Sequence, residues 1–374
     1  MTYLDNSATT KPCAQAVEAI TDALTNHWHN PSSLYEPGTD AHRALERARS
    51  QVAAALGAEP NRVFFTYGGT EADNWAIFSA ARRMKKRGSH VITTAFEHHA
   101  VLNCFAQLAE QGFEVTYLQP DRDGRITADD LQAALRPDTV LVSCMMVNNE
   151  VGSVLPIAEM AKRTHRNNPA AIFHTDAVQG FLKVPFRARN LGADLISISG
   201  HKVHAAKGVG ALYIRPGLNL PPYLYGGGQE SGQRSGTEPL PLICGFGAAC
   251  AALAPTLTAD LAHMAALRDA CIARLSAVPG AVVLGCHEAP HIVNFAIPGL
   301  RSQGILNCLQ EHGVYVSAGS ACSRGHRSHV LEALHAAPAA IDGSIRVSFC
   351  RDNTAQDLDA LLAALHDAIQ TLKG

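Results

Sequence analysis

No apolar run in this 374-residue chain reaches the roughly 18 residues that a membrane-spanning helix needs. The N-terminus, MTYLDNSATTKP, turns polar at Asp5 and has no signal-peptide core. Charge of one sign is missing too: 31 Lys and Arg face 33 Asp and Glu, for a formal net charge of −2. That balance leaves no footprint for nucleic acid or for an acidic membrane surface. Ten cysteines are present, but their spacing is irregular and includes no CxxC pair, so they do not form a disulfide framework. Internal repeats and low-complexity segments are absent as well. These absences predict a cytoplasmic protein with neither a nucleic-acid nor a membrane partner.

What is present is apolar material, 47% of the residues, enough for a large core and for more than one domain. Short β-branched runs (RVFFTY, HVITTAFEHH, VLVSCMMVNNE, AIFHTDAVQ, LISISGHK, ALYIR) alternate with helical patterns such as ALERARSQVAAALG and TEADNWAIFSAARRMKKRG. Thr127 and Asp130 make a capping-box start, and Gly57, Gly88 and Gly112 stand where helices should end. The alternation predicts an α/β fold, a mainly parallel sheet with helices on both faces. Near Thr256 the rhythm changes to a long helix, several short strands and a last amphipathic helix. The expected division is an N-terminal arm, 1–15, packing with the small domain; a large domain, 16–255; and a small α+β domain, 256–374.

The chemistry collects at strand ends. VFFTY runs into Gly68-Gly69-Thr70-Glu71, VITTAF into Glu97-His98-His99, and VSCMMV into Asn148-Asn149-Glu150. IFHT runs into Asp176 and Gln179, and LISIS into Gly200-His201-Lys202. Ligands of open parallel sheets bind outside the carboxyl ends of the strands, so five polar strand ends predict one shared small-molecule site. Gly68-Gly69-Thr70 opens a helix, which suits either an ordinary cap or a phosphate. Asp176 suits either an N-cap or a partner for a cationic ring nitrogen. Lys202 follows an apolar strand, where an unpaired charge is costly to bury, and fits an imine-forming lysine. A phosphate cradle, an Asp for a pyridinium nitrogen and such a lysine together describe pyridoxal 5′-phosphate.

With these motifs in place, the chain resembles the cysteine desulfurases, pyridoxal-phosphate enzymes of the class-V aminotransferase group. The resemblance runs from YLDNSATT and NPSSLYEPG through GGTEADNWAI, EHHAVL, VNNEVG, HTDAVQ, SGHK and GGGQESGQRSGT to SAGSAC and SIRVSF. It implies the fold type I architecture of these transferases, with a seven-stranded sheet. It also implies roles. Lys202 carries the cofactor, Asp176 pairs with its ring nitrogen, and His98 stacks on the ring and moves protons. Gly69, Thr70, Ser199 and His201 hold the phosphate. Gln179 and Asn149 contact the phenolic-oxygen side and the substrate, and Arg346 binds the substrate carboxylate. Thr237 reaches the phosphate of a neighbouring subunit, implying a homodimer, and Cys322 is the sulfur-accepting nucleophile. The implied reaction converts L-cysteine to L-alanine. Its sulfur passes to a Cys322 persulfide and then to an acceptor protein, an iron–sulfur scaffold or a tRNA-thiolation enzyme. A selenocysteine lyase or another class-V transaminase would keep the fold without needing the thiol, and a catalytically silent sulfur-pathway scaffold would keep the fold without the chemistry.

The likeness has departures. Where the family shows a glycine-proline pair after the lysine, this chain reads HKVHAAKGVG, with Lys207 as the nearest rival lysine. The segment after Cys322 is short and reads Ser-Arg-Gly-His-Arg, and Arg324 and Arg327 would lower the thiol pKa. His99, where a lysine is common, has no assigned role. The other nine cysteines read as core. HEAPH, His287 to His291, matches a zinc-protease pattern, but Pro290 argues for a loop rather than the helix that motif needs, so no metal is expected.

Overall fold

The computed structural model describes residues 1–318 and 327–373. Its strands are β1 (Thr2–Tyr3), β2 (Val63–Thr66), β3 (His90–Thr94), β4 (Glu114–Leu118), β5 (Thr139–Ser143) and β6 (Ile172–Asp176). They continue with β7 (Leu195–Ser199), β8 (Gly210–Ile214), β9 (Val282–Leu284), β10 (Ile292–Ala296), β11 (Val314–Tyr315) and β12 (Ser344–Ser348). Seven of these form the central sheet in the order β2-β8-β7-β6-β5-β3-β4. From β7 to β4 every pairing is parallel, while β8 runs antiparallel to both β7 and β2. Strands β5, β6 and β7 are buried at every position, so they read as continuous apolar runs covered on both faces.

The helix Gly69–Met84 covers one face through Trp75, Ala76 and Ala80, all fully buried. The opposite face carries the largest core cluster, built from the helices Glu36–Leu56 and Leu240–Leu253 with Phe173, Ile196 and Ile198 of the sheet. The continuous helical stretch Leu240–Leu275 is long and apolar enough, by length and composition alone, to cross a membrane, which the sequence reading did not anticipate. Its first half packs on the helices Ala14–Thr25 and Glu36–Leu56 and buries Ile243, Phe246, Ala249 and Cys250, so its apolar character is that of a core helix.

Local signals act much as expected, with one exception. Thr127 Oγ1 accepts from the Asp130 amide (3.2 Å) while the Thr127 amide donates to the Asp130 carboxylate (2.7 Å), a complete capping box. Gly57 ends its helix at φ +71°. Gly88 does not cap anything: its helix has already ended at Met84, and a Cβ there would lie 2.2 Å from the Asp138 carbonyl oxygen. It is a site of close backbone approach rather than a helix stop.

A second sheet, β9-β10-β12, is antiparallel, and β1 pairs in parallel with β11. Leu4 is buried in one cluster with Phe295, Val347, Phe349 and Leu361. The residues that follow cross to the large sheet. The Asn6 amide group donates to the Ser348 carbonyl (2.9 Å), and Thr10 Oγ1 donates to the His201 carbonyl (3.0 Å). The first dozen residues thus lash the end of β12 to the turn after β7.

Candidate active site

That lashing encloses a cavity of about 400 Å³ outside the carboxyl ends of the parallel strands. Its floor is the end of β7. There a short turn, Gly200–Lys202, presents Lys202, whose Nζ donates to the carbonyls of Ser7 (2.7 Å) and Ala8 (2.8 Å). Asp176, the last residue of β6, accepts from the Val178 amide (2.8 Å). Burial raises its carboxyl to about 6, with the Val178 hydrogen bond and Lys202 pulling it down. Two other carboxyls are buried in the same neighbourhood. Asp73 is pushed well above the carboxylate range by burial and by Asp176, and Glu97 is pushed up to about 8, again chiefly by burial. Of the three, Asp176 is the one that Lys202 pulls back toward the charged form, so it is the one best placed to carry the anionic charge.

His98 caps the helix His99–Glu110, its Nδ1 accepting from the Ala100 amide (3.1 Å). Its ring opens to the cavity yet is enclosed by protein, which lowers its pKa to about 4, with Lys202, His99 and His329 adding to the effect. The imidazole is neutral at pH 7, and because Nδ1 accepts, its proton sits on Nε2. The His99 ring faces that of His329, 4.6 Å between centroids.

At one end the lining is suited to an anion. Thr70 and Gly69 open the helix Gly69–Met84, whose first amides lack intrahelical partners. Ser199 Oγ is buried with no hydrogen-bond partner among the described residues, and His201 stands beside it. A Cβ on Gly69 would lie 2.7 Å from Val178 Cγ2, so only glycine lets the backbone come this close. At the other end, the Arg346 guanidinium from β12 donates to Asp5 (2.7 Å) and to the Asn149 carbonyl (3.0 Å). Its Nε is buried with no partner among the described residues. Gln179 Nε2 donates to the Ser7 carbonyl (2.8 Å), and Gln179 Oε1 accepts from Lys183 (3.3 Å).

The fold thus gathers Gly69, Thr70, His98, Asn149 and Asp176 with Gln179, Ser199, His201, Lys202 and Arg346 around one cavity. Thr237 is exposed and does not line it, and Cys322 and Arg324 lie outside the described residues. Arg327 is exposed and paired through two hydrogen bonds with Asp342 (2.8 Å each), so its charge is already balanced. Lys207 is exposed and lines a separate shallow groove with Thr70 and His201. The HEAPH segment is non-helical and lies between β9 and β10. The reading of the other cysteines as core needs correction: Cys13, Cys244, Cys286 and Cys308 are only half-buried, because they sit where their elements meet the surface.

Sequence reasoning missed Asp73, and it named Glu97 and Glu150 at the polar strand ends without giving either a role. Glu150, raised to about 7 by burial, accepts a hydrogen bond from Ser328 inside the cavity. Asp73 had a signal, one helical turn beyond Gly69 and so on the same helix face. For Glu97 and Glu150 the signal is weak, since only tertiary burial separates them from ordinary helix-start acids.

A family model described as aminotransferase class-V matches residues 2–361. The chain is 42% identical to a cysteine desulfurase IscS of Methanosarcina thermophila, over 99% of this chain and 92% of that protein. Among solved structures it is similar to a NifS-like protein, with TM-score 0.93 and 35% identity over 99% of both chains. It is also similar to SspA in complex with cysteine, with TM-score 0.82 and 31% identity over 95% of this chain and all of that one. A family match over nearly the whole length, on a fold that assembles this cavity, means that the chain belongs to the class-V aminotransferases.

Proposed function

We propose that this protein is a cysteine desulfurase that uses pyridoxal 5′-phosphate. One observation carries the reading: Lys202, Asp176, an anion cradle and the Arg346 guanidinium line a single cavity. The fit rests on the unpartnered Ser199 hydroxyl, the close approach that only Gly69 permits and the buried carboxyl of Asp176. When bound, this cofactor withdraws electrons from the Cα of an amino acid.

The chain's own groups supply the rest. Arg346 holds the substrate carboxylate, which competes with Asp5 for its fork. Lys202 takes and returns the Cα proton at Nζ, where the Ser7 and Ala8 carbonyls orient its hydrogens. With Nδ1 filled by the Ala100 amide, His98 can exchange a proton only at Nε2. The Cys322 thiolate attacks the substrate sulfur: an S–S bond forms, the substrate C–S bond breaks, and its electron pair stays with carbon. A proton then completes alanine and leaves a persulfide on Cys322.

The sulfur passes on to an acceptor protein, either an iron–sulfur scaffold or a tRNA-thiolation enzyme, in the cytoplasm. The working unit is a homodimer in which Thr237 serves the partner's phosphate site. Trp28, Leu34 and Tyr35 are 68%, 99% and 57% exposed, an apolar strip that a second subunit would cover. Within each chain the arm 1–15, the large domain 16–255 and the small domain 256–374 divide the labour, the last carrying Arg346, which lines the cavity, and the Cys322 nucleophile in its sequence. The test is chemical. Borohydride should fix the cofactor to the peptide carrying Lys202, and Lys202→Ala should abolish both the label and alanine formation. A label on Lys207 would overturn this assignment.

A further inference from the structure

Behind the active-site lysine lies a second constellation that the proposed reaction does not use. His204, two residues after Lys202, is held at φ +59°, a conformation uncommon for a residue with a side chain. Its backbone amide donates to Thr10 Oγ1 (2.7 Å), and its ring Nδ1 lies 2.9 Å from the Lys11 carbonyl oxygen. A carbonyl only accepts, so Nδ1 carries the ring proton and Nε2 presents a lone pair. Cys350 follows β12 closely and is buried, and burial raises its thiol to about 11, so a bound metal would displace its proton. Asp352 stands at the surface beside it. Ligand atoms of His204, Cys350 and Asp352 all lie within 4.8 Å of one another. The edges of a zinc tetrahedron built from nitrogen and sulfur measure about 3.5 Å, so a small side-chain rotation, easiest for exposed Asp352, closes the site.

We propose that His204, Cys350 and Asp352 bind a zinc-class divalent cation, with water in the fourth position. The donor set is the argument. A thiolate and an imidazole select a borderline-soft metal over magnesium or calcium, and a carboxylate completes three protein ligands. The Nδ1 contact to the Lys11 carbonyl is the outer-shell bond that metal-binding histidines use to fix tautomer and ring orientation. A small cavity of about 20 Å³, lined by His204, Cys350 and Lys202, leaves room for one ion or water at the sulfur.

Three cations stand near, and each is engaged elsewhere: Lys202 donates to the carbonyls of Ser7 (2.7 Å) and Ala8 (2.8 Å). Lys183 donates to Gln179 (3.3 Å), and Arg351 faces Asp260 (3.3 Å) and Thr256 (3.1 Å). The ligands come from the turn after the active-site lysine and from the end of β12, segments that the N-terminal residues already join. A bound ion would therefore clamp the small sheet to the lysine turn. This inference is independent of the desulfurase reading, because Cys322 and the cofactor take no part in it.

The test uses the full chain, dialysed against a chelator and titrated with zinc chloride against a chromophoric competitor. One equivalent per chain should bind, and Cys350→Ala or His204→Gln should weaken binding at least tenfold. Cys322→Ser should leave it intact, separating this thiol from the proposed nucleophile. Zinc should raise the melting temperature of the wild type but not of Cys350→Ala. Cobalt(II) in place of zinc should give a thiolate charge-transfer band that disappears with Cys350→Ala. Should Cys350→Ala not fold, exposed Asp352→Asn still serves, and it should weaken zinc binding. Equal zinc affinity in the wild type and in these variants, or no binding by the wild type, overturns the site.

Discussion

Asp73, Glu97 and Asp176 occupy one buried neighbourhood, yet burial treats them unequally, and the residue-scale chemistry depends on that difference. Asp176 keeps a backbone donor and feels Lys202, so it is the best placed of the three to be the anion. Glu97 is raised from 4.5 to about 8, so between those values the folded chain holds a proton that the unfolded chain has lost. Its contribution to stability is full below about pH 4.5 and is lost as the pH rises through 8. Glu97→Gln should make the fall in unfolding free energy between pH 5 and pH 8 smaller, by up to a few kcal/mol at about 1.4 kcal/mol per pKa unit. Urea unfolding at the two pH values checks this, and an unchanged fall would mean that Glu97 titrates normally. Cys322→Ser nearly preserves size but cannot form a thiolate at neutral pH. It should still bind cofactor and cysteine while alanine and sulfide production drops to near nothing. Peptide mapping after brief reaction of the wild type should find the extra sulfur on Cys322, not on buried Cys104 or Cys144.

At the scale of elements, a buried ion pair ties the front of the large sheet together. Arg49, on the helix Glu36–Leu56, meets Glu230 through two hydrogen bonds of 2.7 and 2.9 Å, both residues being buried. Glu230 also accepts from the Phe65 amide in β2 (2.8 Å), and Arg49 donates to the Val63 carbonyl (2.8 Å). A helix, a strand and the Glu230–Gly232 turn are thus joined at one point. Glu230→Gln leaves a buried guanidinium without its counter-charge, a change that costs roughly 3–5 kcal/mol. Thermal unfolding should show a large loss of melting temperature, whereas breaking the exposed Arg136–Glu114 pair should cost under about 1 kcal/mol. Comparable shifts for the two pairs would contradict the weight given to burial.

At the scale of the whole molecule, the cavity is made where two sheets meet, with the N-terminal residues as the seam. If Thr237 completes a neighbour's site, mixing inactive Lys202→Ala and Thr237→Ala subunits should restore one intact site in each heterodimer. The recovered activity should approach a quarter of the wild-type value per subunit at random assortment, one site in half of the dimers. Sedimentation of a fully active monomer would remove the reason for the experiment.

The sequence by itself determined the class of fold and the cluster of cavity residues. Apolar runs ending in Gly69, His98, Asn149, Asp176 and Lys202 can bury themselves only in a two-sided parallel sheet, which puts all five ends at one edge. Even the antiparallel turn of β8 follows from the short link between Ser199 and Gly210, too short for a parallel crossover. The rest was decided by tertiary structure. Which carboxyl is ionised depends on desolvation, which needs all the surrounding atoms in place. Gly88 differs from a helix stop only through the Asp138 carbonyl that approaches it. His204 meets Cys350 and Asp352 only after the arm has drawn β12 against the lysine turn, because no local period relates His204 to a pair so far along the chain.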